Sequence, residues 1–506
     1  MRRLLILFVF IYVGFGTLYC VPHKVVFGFY PSWNGTSYLS ILQWDALTHI
    51  ADFSLKVNAD GSVTDQTTSG LVSTAKSHGV DPILTVTNFD SDDIHSILTT
   101  SSNTAINNIV SFATTWGYTG ICVDFEGVYS TDRNNLTNFM SALKTAFLEE
   151  ISTGTIWICV PAAISTAFDI TALGGICNGL FIMAYDYSWS GSQYAGPVSP
   201  FRPTPYLSLY VEKTVNDYLT YTTADKLILG VPYYGYRWPT YSDVYGSSTV
   251  ARGSAVLYRN IVPTLTSQYG NVWDNYSQTL WLAYTVVSTS QVYFDDANSL
   301  AVKYAFALEK QLKGVGMWAL AYDGTRTELW DALKSYFCGP SAPVVYTVRG
   351  TSDKGVEILW KQNPESDIAS YKVYCSTVGW DTSSFQLIKT LSPSLTYVHL
   401  SPSDLPFIDR PLYFFLRAEN ANGYLSACSD VFGVLPSYRV KSRRVLVVND
   451  SVRFYQNNFT VFYCDSLFNS NTGPYSLTQS YAFDSATSKS VVDGIVNLND
   501  YSAVIW

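Results

Sequence analysis

Between residues 24 and 337 the sequence repeats one pattern eight times: a short apolar run, then a segment of helical period or a polar loop. The runs fall at 25–30, 47–54, 82–88, 120–126, 155–161, 180–186, 227–234 and 316–321. Runs this short and continuous read as strands buried on both faces, the signature of a parallel sheet. The segments at 104–116, 136–150 and 299–312 carry their apolar residues at helical spacing. Eight buried strands alternating with helices predict an α/β fold, a (β/α)8 barrel, which takes about 250 residues plus insertions. The stretch 235–297 is too long for one strand–helix unit, so an inserted subdomain is expected before the last strand. A doubly wound sheet shares the alternation, but no GxGxxG follows the first run.

Hydrophobic residues at 47% and charged residues at 14% exclude a disordered or polyelectrolyte chain. Arg2 and Arg3 followed by an apolar run to Gly16 read as a signal peptide, expected to occupy residues 1–20. The run is too short for a transmembrane span. Cys20 raises a lipid anchor as an alternative, although Thr17, Leu18 and Tyr19 fit such processing poorly. Removing the leader takes the formal charge from −9 to −11, which argues against nucleic acid as a partner. The eight Cys form no CxxC pair and the five His no HExxH, so neither a zinc site nor a disulfide framework is expected; no metal or cofactor is expected. No Walker A loop and no GxSxG elbow occur. Carboxylates are left as the candidate catalytic groups.

Composition changes at 339–343, Gly-Pro-Ser-Ala-Pro, a linker that ends the barrel segment at 22–338. Alternating runs at 355–360, 370–376, 385–391 and 412–420 predict a β-sandwich over 342–434. Residues 440–506 contain two strand-like runs, at 444–449 and 501–506, and read as part of an α/β segment belonging to a longer protein.

The chemistry concentrates at 117–126, Gly-Tyr-Thr-Gly-Ile-Cys-Val-Asp-Phe-Glu. Strand side chains alternate, so Cys122, Asp124 and Glu126 share the face that a barrel turns inward. Glu126 then emerges at the C-terminal rim, where barrel active sites lie. Two carboxylates spaced about 7 Å apart along a strand repel, which raises the proton affinity of one and suits it to act as a general acid. Three other runs end in polar aromatics and carboxylates: Met183, Tyr185 and Asp186; Tyr233 and Tyr234; and Trp318. With 38 Tyr and 13 Trp in the chain, that combination suits a sugar, whose ring faces stack on aromatics.

These motifs resemble the family 18 glycoside hydrolases, particularly their bacterial spore and cell-wall glucosaminidase branch. Against the family pattern DGxDxDxE, Gly120, Asp124 and Glu126 match, while Thr119 and Cys122 replace its first two Asp. Met183, Tyr185 and Asp186 match MxYD, and Gly230-Val231-Pro232-Tyr233-Tyr234-Gly235 and Trp318 match the seventh and eighth strands. The resemblance implies a chitinase-like enzyme acting on N-acetylglucosamine-containing polysaccharide, chitin or peptidoglycan, by a substrate-assisted retaining mechanism. Glu126, Asp124 and Tyr185 would be catalytic, and Tyr30, Met183, Asp186, Tyr233, Tyr234 and Trp318 would bind substrate. Cys122 reads as a packing residue. A catalytically silent sugar-binding barrel and a surface adhesion protein using the barrel as scaffold are the alternatives. The segment at 342–434 resembles a fibronectin type III domain, and a secreted or cell-surface monomer is expected.

Overall fold

The computed structural model describes residues 22–378, 384–436, 444–449 and 482–506; the expected leader at 1–20, with Cys20, lies outside them. Seven parallel strands come first: β1 (Val25–Pro31), β2 (His49–Val57), β3 (Asp81–Asn88), β4 (Gly120–Phe125), β5 (Thr155–Pro161), β6 (Gly179–Met183) and β7 (Leu227–Pro232). An insertion follows, with β8 (Tyr234–Pro239), β9 (Ser254–Leu257), β10 (Val272–Asp274), β11 (Thr279–Thr285) and β12 (Thr289–Phe294) in an antiparallel sheet ordered β9-β8-β12-β11-β10. Strand β13 (Gly314–Trp318) then pairs with both β7 and β1, and β1 pairs with β2, so the eight-stranded ring closes. The fold is a (β/α)8 barrel, with the insertion where the long stretch before the last strand required one.

The outer layer is built by α1 (Leu71–Ser77), α2 (Ser91–Leu98), α3 (Ser102–Trp116), α4 (Arg133–Glu150), α5 (Ile170–Ile176), α6 (Val211–Tyr218), α7 (Ala297–Glu309) and α8 (Glu328–Phe337). Helix α3 shows the local logic. Ala105, Ile106, Ile109, Val110 and Ala113 fall on one face and are buried. Gly117 ends the helix in the left-handed region at φ 78°, where its N–H reaches the carbonyl of Ala113.

Two cores result. Ile121, Val123 and Phe125 of β4 point outward and pack with Leu136, Phe139, Met140 and Leu143 of α4. Cys122 points inward and joins Phe27, Phe29, Ile83, Trp157, Cys159, Phe181 and Ile228 in the lumen. The rings interlock there, Phe29 meeting Phe181 edge-on at 4.9 Å and Phe27 meeting Trp157 at 5.4 Å. A glycine on β13 makes this possible: a Cβ at Gly316 would lie 2.4 Å from both the Phe181 ring and the Phe27 carbonyl. The lumen is a filled core whose polar groups gather at one end.

After the barrel, β14 (Val345–Gly350), β15 (Val356–Trp360), β16 (Ile368–Ser376), β17 (Gln386–Leu391), β18 (Tyr397–Leu400), β19 (Leu412–Asn420) and β20 (Phe432–Val434) form the expected sandwich strands. They are followed by β21 (Arg444–Asn449), β22 (Ala482–Thr487) and β23 (Ala503–Ile505). One sheet runs β17-β16-β19-β20 and the other β18-β15-β14-β22-β21-β23. The last three strands, expected as part of a separate α/β segment, are mutually parallel but extend the sandwich sheet. Strand β14 has an edge with unpaired backbone groups, and β22 covers it antiparallel. The join is reinforced by Gly350 N–H donating to Asp484 at 2.8 Å and Thr347 hydroxyl to the Ser485 carbonyl at 2.9 Å. Among the described residues no helix is long and apolar enough to cross a membrane.

A buried ion pair ties α7 to the turn that leads into it from β12: Lys303 contacts Asp295, and both side chains are almost completely enclosed. Removing one partner strands the other charge in a dry site. Lys303→Met should therefore cost roughly 3–5 kcal/mol in urea unfolding followed by tryptophan fluorescence, and Asp295→Asn in the same chain should restore part of that loss.

Candidate active site

Strand β4 delivers its two carboxylates to the C-terminal mouth in different environments. Asp124 is 5% exposed and faces the lumen. Its Oδ1 has no hydrogen-bond partner, and none of the ion pairs among the described residues includes it. Burial first, then the neighbouring Glu126 carboxylate, push its pKa up to about 7, opposed by a hydrogen bond with the Cys159 thiol. Glu126 follows the last residue of the strand, its N–H donating to the Asn88 carbonyl at 3.1 Å, and its side chain reaches solvent. Partial loss of hydration and the Asp186 carboxylate raise its pKa as well. The pair is thus set to hold a proton that two ordinary surface carboxylates would lose.

Strand β6 brings the next groups. Met183 and Tyr185 are half-buried against the inner core. The Tyr185 phenol is kept protonated by burial and by the surrounding anions Asp124, Glu126 and Asp186. Asp186 adopts φ 57°, a left-handed conformation that Asp tolerates better than most residues. The Tyr234 hydroxyl, from the start of the insertion, donates to its carboxylate. Burial raises the pKa of Asp186 while this bond lowers it. Opposite, Trp318 at the end of β13 lies half-buried among Phe29 and Phe53, at 5.8 and 4.7 Å between ring centres. Asp124, Glu126, Met183, Tyr185, Asp186, Tyr234 and Trp318 therefore gather at one mouth.

Two residues expected to bind substrate are elsewhere. Tyr30 is fully buried in the outer core, and its hydroxyl donates to the Gly35 carbonyl at 2.6 Å. It shares its face with Val26, while Phe27 and Phe29 take the lumen face. Tyr233 is also fully buried, between the wall and α7, with its hydroxyl 3.5 Å from that of Tyr304. The adjacent Tyr234 points to the mouth, so one residue of the pair serves each layer.

Other residues went unnoticed in the sequence. Trp33 is 62% exposed and Phe89 57% exposed, and both approach Phe53, at 5.9 and 6.4 Å. Trp33 also lies 6.2 Å from Trp318, so an aromatic shelf continues outward from the mouth. These residues sit at the rim or just past strand ends, where no periodicity marks a direction. Cys159 on β5 was missed as well; its signal is position, two residues before the end of a strand beside β4. Among the described residues no three His, Cys, Asp or Glu side chains come together in a way that could hold a metal ion.

A model of the glycosyl hydrolases family 18 matches residues 25–323, more than half of the chain. The chain belongs to that family. The cortical fragment-lytic enzyme of Bacillus subtilis is 26% identical over 296 residues, covering 54% of this chain and 64% of that protein. Human di-N-acetylchitobiase is 28% identical over 196 residues, 33% of this chain and 49% of that protein. The chain thus spans just under two thirds of the first relative and about half of the second. Solved structures share the fold: a chitinase from Chromobacterium violaceum ATCC 12472 aligns with TM-score 0.52 and 24% identity, over 62% of this chain and 98% of that one. The spore cortex-lytic enzyme of Bacillus megaterium QM B1551 gives TM-score 0.53 and 23% identity, over 62% and 74%.

The buried carboxylate carries a stability consequence. Between the usual carboxylate range and about pH 7, native Asp124 holds a proton that the unfolded chain has released, so stability falls as pH rises through that window. Asp124→Asn removes the cost. Its melting temperature should exceed the unmodified protein's by roughly 2–4 °C or more at about pH 8, with a smaller difference at about pH 5, measured by differential scanning fluorimetry.

Proposed function

We propose that this family 18 chain is an exported retaining glycosidase hydrolysing β-1,4-linked, N-acetylglucosamine-containing glycans, chitin or peptidoglycan, by substrate assistance. The observation that carries this reading is the pair Asp124 and Glu126, two residues apart on the lumen face, one dry and one at the rim, opposite Trp318. Most retaining glycosidases use a second carboxylate as nucleophile, and family 18 instead uses the substrate's own acetamido oxygen. Glu126 protonates the leaving oxygen as the acetamido oxygen attacks the anomeric carbon, then accepts a proton from the incoming water. Asp124 holds the acetamido N–H and balances the positive charge of the oxazolinium ring. Tyr185 donates to the acetamido oxygen, Trp318 stacks under the sugar, and Met183, Asp186 and Tyr234 shape the pocket around it. No cofactor or metal takes part in this scheme.

The name of the Bacillus subtilis relative refers to cortical fragments, which favours peptidoglycan over chitin. Against the expectation that the scattered cysteines stay unpaired, Cys338 is disulfide-bonded, which suits an oxidising compartment outside the cytoplasm, in keeping with the expected leader at 1–20. The sandwich at 342–434 is proposed to be fibronectin type III-like: three strands, β18, β15 and β14, face the four of β17-β16-β19-β20. We take the protein to act as a secreted or surface-held monomer.

Glu126→Gln keeps the shape of the side chain and removes its transferable proton. Release of reducing ends from N-acetylglucosamine oligomers should drop by about 10²-fold or more, with the melting temperature unchanged. Near-normal turnover by the purified variant would remove Glu126 from the mechanism. If the unmodified protein binds the oligomers without releasing ends, the silent sugar-binding reading, favoured by Cys122 in place of a carboxylate, replaces this one.

Substrate assistance makes a second, independent demand. Fully deacetylated oligomers should bind without being cut, and a thiazoline mimic of the oxazolinium ion should compete with substrate. Comparable cleavage of glucosamine and N-acetylglucosamine oligomers, followed by mass spectrometry, would exclude the acetamido nucleophile.

A further inference from the structure

Asp124 must be ionised to balance a cationic intermediate, yet it is placed where ionisation is costly. The groups facing it define what can support it. Glu126 lies above it on the same strand, and Tyr185 and Asp186 approach from beyond the end of β6; Glu126 and Asp186 are acids, and the Tyr185 phenol is uncharged. On the β3 side Thr87 pairs alongside, but its hydroxyl is engaged with that of Ser54 at 2.9 Å. Thr85 lies level with Cys122, one layer below. On the other side the β4–β5 register runs Cys122 with Trp157 and Val123 with Ile158, which brings Cys159 level with Asp124.

That register puts Cys159 beside Asp124, whose Oδ1 has no hydrogen-bond partner, and the Cys159 sulfur lies 3.8 Å from that of Cys122. Both thiols are almost completely enclosed among Phe27, Phe29, Trp157 and Phe181. An apolar surrounding disfavours a thiolate, so the proton stays on sulfur, and Cys159 is a donor at any pH the protein meets.

We propose that Cys159 is a positioning residue for Asp124, donating its S–H to the carboxylate from inside the lumen, and that Cys122 behind it holds the thiol in that orientation. No bond is made or broken in this role and the proton remains on sulfur. The hydrogen bond stabilises ionised Asp124 and fixes its plane, leaving the remaining acceptor capacity for the substrate amide at the mouth. The two sulfurs thereby stand where a further carboxylate would add like charge to an already strained pair. This inference rests on the glycosidase reading of the same site.

Cys159→Ala, Cys159→Ser, Cys122→Ala and the double alanine variant, assayed as the full chain on N-acetylglucosamine oligomers across pH, test it. A weak buried hydrogen bond predicts a fall in kcat of about three- to tenfold for Cys159→Ala, with KM little changed. Its loss also raises the proton affinity of Asp124, so the acid limb of the kcat profile should move up by about half a unit. Cys159→Ser retains a donor and should return both rate and limb towards the unmodified enzyme. Cys122→Ala should act in the same direction but less, and the double variant should match Cys159→Ala, because Cys122 acts only through its neighbour.

An unchanged acid limb in Cys159→Ala, or a serine variant as impaired as the alanine one, would overturn the proposal. So would thiol titration in denaturant showing that Cys122 and Cys159 are already joined as a disulfide. Glu126→Gln run alongside separates the failures: if it is inactive and Cys159→Ala normal, only the thiol role is lost, whereas an active Glu126→Gln removes the catalytic reading itself.

Discussion

The barrel's chemistry depends on a carboxylate that folding removes from water without giving it a cation. Asp124 faces a lumen filled with rings, and its nearest charged neighbour is another acid. Coulomb repulsion in such a place is several times stronger than at a surface, because less water screens it. The protein responds with uncharged donors and shared protons. The hydroxyl of Tyr234 relieves Asp186 without neutralising it, and the thiol of Cys159 is proposed to do the same for Asp124. Three carboxylates can therefore share one mouth in a chain whose net charge is already −9.

The rest of the fold fixes those positions. Strand alternation gives every second residue of β4 to the lumen, and interlocked aromatics beneath leave Asp124 nowhere to retreat. The insertion after β7 contributes at its first residue, since Tyr234 begins β8 and reaches back to Asp186. The same stretch therefore seals the outer wall through Tyr233 and builds the mouth through Tyr234. Such division of neighbouring residues between two layers is the general price of a barrel wall one chain thick.

How much of this was legible depended on whether a residue lies inside a strand. The eight runs, the helical stretches at 104–116, 136–150 and 299–312, and the inward face of β4 all follow from periodicity, and each has its counterpart in the structure. Tyr30 and Tyr233 were assigned by motif rather than by face. Alternation with Phe27 and Phe29 puts Tyr30 on the outer face, whereas the split between Tyr233 and Tyr234 shows only once Tyr234 is seen to reach Asp186. Trp33 and Phe89 lie beyond strand ends, where direction is decided by loop conformation and no repeat reveals it. Strand β22 escaped because 482–487 carries Asp484 and Ser485, polar residues that burial and partners satisfy only in the assembled sheet.

The lumen is plugged at the end away from the carboxylates. At the far end Trp157 is packed against His49 and Phe27 with ring centres 4.9 and 5.4 Å away, and the aliphatic and cationic length of Lys313 crosses its face. Cys122 and Cys159 sit above this plug and are 0% and 3% exposed. Buried this way, the two thiols are screened from oxidants and alkylating agents whether or not the mouth is occupied, so their modification would report opening of the barrel itself.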